Sequence, residues 1–156
     1  MDLREASSLA HSLMGQHGLN QWYFRFDSSV KRFGCCNYTK RIISLSRALT
    51  MLNSPARVAN TVLHEIAHAL AGPQAKHGRL WRLTAIRIGC DGNRCYDSAQ
   101  VAQPKMPWKL TCPKCGGSVQ RIKRPKRAAA ACGRCCKLYN GGRYSSEFQL
   151  TVTYNY

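Results

Sequence analysis

The segment His64-Glu65-Ile66-Ala67-His68 sets two imidazoles four residues apart, with a carboxylate next to the first. On an α-helix, residues i and i+4 share a face, so His64 and His68 can reach one metal ion. Glu65 lies about 100° further round the helix. From there its carboxylate can touch a water held by the metal without becoming a ligand. This is the arrangement that metal-assisted peptide hydrolysis needs. Zinc acidifies the water and polarises the scissile carbonyl, and the carboxylate carries the proton to the leaving amine. The chain has only five His, so the pattern is improbable by chance. The bland alternative is a pair of histidines satisfying core hydrogen bonds. A catalytic zinc takes three protein ligands and keeps one position open. His77 is the leading third donor, because Gly72-Pro73 lets the chain turn back before it. Asp91, Asp97, Cys35 and Cys36 compete for that place. The spacing H-E-x-x-H-x-x-G-x-x-H fails, since Ala71 and Gln74 stand at its positions, and the metzincin reading is disfavoured.

A second constellation lies downstream. Cys112, Cys115, Cys132 and Cys135 form C-x2-C-x16-C-x2-C, which has structural-zinc spacing. Each C-x-x-C lets two thiolates converge on one side of a tetrahedron, and Gly116, Gly117 and Gly133 suit the tight turns. Cys136 competes with Cys135, which keeps the x2 spacing. A redox dithiol is the alternative. Between the knuckles, residues 121–127 carry Arg121, Lys123, Arg124, Lys126 and Arg127. A ribbon hairpin bearing them would present a cationic finger suited to phosphate, and Tyr139, Arg143 and Tyr144 could stack on single-stranded bases. A merely solvated basic loop is the competing reading. Cys35 and Cys36 sit on an expected strand and point to opposite faces, and Cys90 and Cys95 read as free thiols.

The elements that must position these groups follow from periodicity. Leu3, Ala6, Leu9, Ala10, Leu13 and Met14 form one stripe of a helix over 3–17, with Gly18 as its cap. Trp22, Phe24 and Phe26 alternate as in a half-buried strand. Residues 33–38 and 41–45 read as two more strands, and 47–52 as a helical turn or two. Ser54-Pro55 starts the helix that carries the histidine pair, with Val58, Val62, Leu63, Ile66 and Leu70 as its buried stripe. A further amphipathic helix is predicted over 77–88, beginning at His77, with Leu80, Trp81, Leu83 and Ile86 apolar. Residues 148–156 alternate as a strand.

Composition bounds the rest. In 156 residues, 24 Lys and Arg face 7 Asp and Glu, a net charge of +17, which favours a polyanionic partner, nucleic acid first. With 44% hydrophobic and 20% charged residues, wholesale disorder is excluded. No apolar run suits a membrane span, and 1–13 do not read as a secretory signal. Nine Cys in a chain read as unexported point to metal or free thiols rather than disulfides.

The segments 64–89 (HEIAHALAGPQAKHGRLWRLTAIRIG) and 32–49 (RFGCCNYTKRIISLSRAL) resemble the active-site region of the SprT-like, or Spartan, metalloprotease family. The resemblance includes the His77-Gly78 pair and Trp81, runs over about residues 20–140, and extends to a C-terminal zinc ribbon. It implies that His64, His68 and His77 ligate a catalytic zinc and that Glu65 is the base. It also implies a protease acting on proteins attached to DNA. The expected fold is α+β: a zincin-like core over 1–98, a linker over 99–107 and a zinc ribbon over 108–156. Two zinc ions are expected, one catalytic and one structural. The expected partners are DNA, single-stranded or junction-containing and read without base specificity, and the proteins on it. The expected chain is a monomer with no membrane association. It would be cytoplasmic, nucleoid-associated in a bacterial or viral setting, or nuclear in a eukaryote. Two alternatives remain: a nucleic-acid-binding ribbon protein with a structural or inactive HExxH zinc, and a zinc amidase with an upstream Cys ligand.

Overall fold

The computed structural model describes residues 1–94, 101–125 and 130–154. The chain is mixed α+β and divides into two compact units, 1–104 and 105–156.

The first unit opens with α1 (Leu3–Gln16), capped by Asp2, whose carboxylate accepts the N–H groups of Arg4 and Glu5. Its inward stripe is Ala6, Ala10 and Met14, with Leu9 and Leu13 packed against the core. A three-stranded sheet follows, formed by β1 (Tyr23–Asp27), β2 (Gly34–Asn37) and β3 (Ile42–Ser46) in the order β1-β3-β2. The β2–β3 pair is antiparallel, with Gly34 opposite Leu45 and Asn37 opposite Ile42. β1 runs parallel to β3. Central β3 buries Ile43 and Leu45 completely, as a strand flanked on both edges should. Asp27 fixes the loop before β2: it accepts from Ser44 Oγ at 2.8 Å, from Ser29 N–H at 2.9 Å and from Arg32 at 3.0 Å. These donors hold its carboxyl below the usual range, although burial pushes it up.

After a short α2 (Arg47–Leu52), α3 (Pro55–Ala71) crosses the unit. Ser54 caps it by accepting the Arg57 N–H, and Pro55 occupies its first turn. Val58, Val62 and Ile66 are fully buried against α1 and the sheet. Gly72, at φ 81°, ends the helix, and its N–H returns to His68 O at 3.0 Å. A 3₁₀ turn (Pro73–Ala75) leads to α4 (Arg79–Arg87).

Here two expectations are corrected. His77 does not begin a helix. Lys76 takes φ 46° and Gly78 is extended, so the helical path cannot start before Arg79. The buried face of α4 is Trp81, Thr84 and Ala85, whereas Leu80, Leu83 and Ile86 are more than half exposed. The spacing fits either stripe. The face chosen is the one that packs Trp81 on Leu63 and Ala67 of α3. Val101 is buried in the first core, and Ala102 N–H donates to Asn53 Oδ1 at 2.9 Å. These two residues of the expected linker therefore belong to the first unit.

The second unit is a three-stranded antiparallel sheet, β4 (Trp108–Thr111), β5 (Ser118–Arg121) and β6 (Thr151–Tyr154), in the order β5-β4-β6. It also holds a short α5 (Gly133–Tyr139), which periodicity did not suggest. Its core is Cys112, Cys135, Cys136 and Phe148. The terminal strand starts later than alternation implied, because Ser145 caps a 3₁₀ turn at Ser146–Phe148. Among the described residues, no helix is long and apolar enough to cross a membrane.

Ile66, between Glu65 and His68 in the sequence of α3, is fully buried. Ile66→Ala is expected to cost about 2–5 kcal/mol, measured as a lower urea midpoint for the transition of the first unit.

Candidate metal centre

α3 places His64 and His68 one turn apart, and the turn after Gly72 returns His77 to them. His77 Nε2 lies 3.1 Å from His64 Nε2 and 3.0 Å from His68 Nε2. All three donor nitrogens fall within 4.8 Å of one another. A tetrahedral ion with Zn–N of about 2.0–2.1 Å has nitrogen edges of about 3.3 Å, so the set fits such an ion closely. Burial is the main cause that pushes His64 and His68 down to about 4, and it also lowers His77, with Arg94 adding to the effect there. At neutral pH the imidazoles are therefore uncharged and offer lone pairs.

Trp81 forms the wall behind them. Its ring lies 4.7 Å from those of His64 and His77, and it stacks on His68 at 5.3 Å. Being 1% exposed, it shuts water out on that side. On the other side Asn93 and Asp91 line the cleft beside His64. Asp91 shapes that loop, accepting from Asn93 N–H at 2.9 Å and from Asn60 Nδ2 at 3.0 Å. Tyr38 donates to His68 O at 3.2 Å and ties the β2–β3 hairpin to the last turn of α3. Asn60, Asn93 and Tyr38 carried no signal in the sequence. The partners of Asn60 and Tyr38 lie 31 and 30 residues away, at no diagnostic spacing.

Glu65 is 7% exposed. Burial pushes its carboxyl up to about 8, against the pull of Arg32 and the Cys36 N–H. Its seat is made by Gly34. A Cβ at that position would lie 2.5 Å from Glu65 Oε1 and 2.8 Å from its Cγ. The edge strand can approach only because it has no side chain there.

Of the competing donors, Cys35, Cys36 and Asp91 do not join the three-His group, and Asp97 lies outside the described residues. Burial, then Glu65 and Cys35, push the Cys36 thiol up to about 12, which keeps it neutral. A cleft of about 820 Å³ surrounds the histidines and Glu65, lined along one side by Gly34, Cys35 and Cys36 of β2.

In the second unit, Cys112 and Cys135 sulfurs lie 3.7 Å apart, as do those of Cys115 and Cys132. A tetrahedron of Zn–S bonds of about 2.3 Å has edges of about 3.8 Å, so the four thiols fit a zinc ion. Cys136 is buried beside them but does not belong to the group, which contains Cys135. Cys115 and Lys114 N–H groups draw the Cys112 thiol down to about 7, while burial and the neighbouring sulfurs push Cys135 up to about 12. Of the basic residues between the knuckles, Arg121 ends the fully exposed β5, and Arg124 sits 5.5 Å over the Trp108 ring. Lys123 is also described, whereas Lys126, Arg127 and the earlier Cys95 lie outside the described residues.

The family model for the SprT-like family matches residues 8–102. The chain belongs to the SprT-like family. The SprT-like match runs from within α1 to Ala102, so it covers the whole three-His site. SprT-like proteins are generally metallopeptidase-related. No curated protein and no solved structure matches the chain.

Two outcomes follow. Gly34→Ala is expected to unseat Glu65 and lower Glu65-dependent turnover by about a hundredfold, while cobalt absorption at the three histidines stays unchanged. Cys135→Ser is expected to abolish metal binding by the second unit and Cys136→Ser to preserve it, read by metal analysis of the full chain.

Proposed function

We propose that this SprT-like protein is a zinc-dependent endopeptidase with a zincin-like core, and that its basic second unit brings it to DNA. The reading rests on one observation: three neutral histidines converge beside a buried carboxylate in a cleft bordered by a sheet edge. His64, His68 and His77 hold the catalytic zinc, and Cys112, Cys115, Cys132 and Cys135 hold a structural one. When bound at the histidines, zinc supplies Lewis acidity that acidifies a water and polarises the scissile carbonyl.

The chain's own residues do the rest. Glu65 takes a proton from the attacking water and returns it to the leaving amine. Trp81 packs against His64 and keeps it in register. Tyr38 anchors the end of α3. Among the described residues β2 pairs only with β3, so its outer edge can receive an extended peptide by main-chain hydrogen bonds.

The DNA-binding half of the proposal draws on charge. Residues 99–156 carry 11 Lys and Arg against Glu147 alone, and β5 is exposed throughout. Arg121, Lys123, Arg124, Lys126 and Arg127 contact phosphates without reading bases. Exposed Tyr139 and Tyr144 add stacking that favours single-stranded or junction-containing DNA. The substrates are then proteins attached to DNA, crosslinked ones included. The enzyme acts as a monomer wherever DNA lies, in nucleoid or nucleus.

The test is cleavage of a DNA-bound protein by the zinc-loaded chain. Glu65→Gln is expected to lower turnover by at least about a thousandfold, with metal content still two per chain and DNA affinity unchanged. Equal cleavage by wild type and Glu65→Gln would sink the mechanism. No cleavage by wild type, with DNA binding intact, would favour a non-proteolytic binding module.

A further inference from the structure

The cleft around the three histidines carries more positive charge than its chemistry requires. Lys31, Arg32, Arg57, Lys76 and Arg94 line it, against Glu65 and Asp91. The two acids are occupied by the architecture. Glu65 is buried under Gly34. Asp91 is engaged by Asn60 and by the N–H of Asn93. Arg32 is matched by Asp27 at 3.0 Å. Lys76 and Arg94 have no such match: both are exposed, and among the described residues neither forms an ion pair.

Their places are informative. Lys76 immediately precedes His77, and it keeps a left-handed φ of 46° that favours glycine. Arg94 immediately follows Asn93, and both line the cleft with His64. The two cations therefore flank the reactive centre on two different segments. Lys31 and Arg57 enter the lining from the loop before β2 and from the first turn of α3.

We infer that this cleft selects peptide segments rich in Asp and Glu, with acidic side chains beside the scissile bond held by Lys76 and Arg94. The inference rests on the proposed peptidase reading and names its substrate class. A peptide suits the cleft better than a nucleic acid does. β2 offers a sheet edge for main-chain pairing. Phe33 and Tyr38 are the aromatic carbocycles in the lining. Phe33 is 1% exposed, and the Tyr38 hydroxyl is held to His68 O. Nothing there resembles the stacking platform that bases use.

The test is a binding measurement, so that it does not depend on turnover. Fluorescein-labelled extended decapeptides of one sequence, with four Glu, four Gln or four Lys, are titrated by anisotropy into the full-length, zinc-loaded Glu65→Gln chain. At about 50 mM salt the Glu peptide is expected to bind about tenfold tighter than the Gln peptide, with the gap closing near about 500 mM. Lys76→Glu with Arg94→Glu, both at exposed positions, is expected to bring Glu- and Gln-peptide binding to the same level, with metal content still two per chain.

Equal binding of Glu and Gln peptides would overturn the inference. So would a preference that survives the double reversal, which would place it on cations other than Lys76 and Arg94. Oligothymidylate whose binding falls in the double variant while the Glu preference does not would overturn it in favour of nucleic acid. A failed peptidase reading shows separately, as wild-type cleavage that Glu65→Gln does not change.

Discussion

Burial of one face of α3 is the constraint from which the first unit takes its form. Val58, Val62 and Ile66 are fully buried against α1 and the sheet. The helix can then neither roll nor slide, and residues one position away on its surface are fixed with it. His64 and His68 stay half-buried on the flank, and Glu65 is pressed toward β2. A core of aliphatic side chains thus sets the positions of three polar groups that contribute nothing to that core. Rigid elements make more precise ligand platforms than loops do, and here the rigid element contributes two of the three nitrogens.

The same burial sets the electrostatics. Imidazoles shielded from water on one side by Trp81 lose their protons readily. Neutral imidazole is the form that binds a cation. The carboxyl of Glu65 in the same shell meets a desolvation penalty that pushes it up to about 8, offset only in part by Arg32 and the Cys36 N–H. The second unit reaches the same end by other means. There Cys112, Cys135 and Cys136 form much of the core themselves, alongside Phe148, and few apolar residues remain to hold the fold without a metal.

What the sequence disclosed was whatever is encoded by short spacing. The i, i+4 histidines, the two C-x-x-C knuckles, the Ser54-Pro55 start and the Gly72-Pro73 stop all depend on neighbours within a few residues. The structure brings together the three histidines and the four cysteines that spacing had singled out. Long-range partners were not legible. The parallel pairing of β1 with β3 joins residues 19 apart, and Asn60 reaches Asp91 across the whole of α4. The role of Gly34 is a fact about space, which no pattern records. Helix α4 was misjudged for a definite reason. Leu80, Leu83 and Ile86 offer more aliphatic surface than Trp81, Thr84 and Ala85, but one indole facing three imidazoles decides the face.

The delivery of His77 from a turn rather than from a helix has a further consequence. Its nitrogen belongs to a different segment from those of His64 and His68, and Lys76 beside it is held in a conformation that most residues avoid. An ion shared by the three would therefore cross-link the chain, closing the short loop that contains Pro73, Gln74 and Ala75. In the metal-loaded protein that loop becomes a clasp between α3 and α4, and a single backbone cut within it would leave the two helices joined only through the ion and the side chains packed around Trp81.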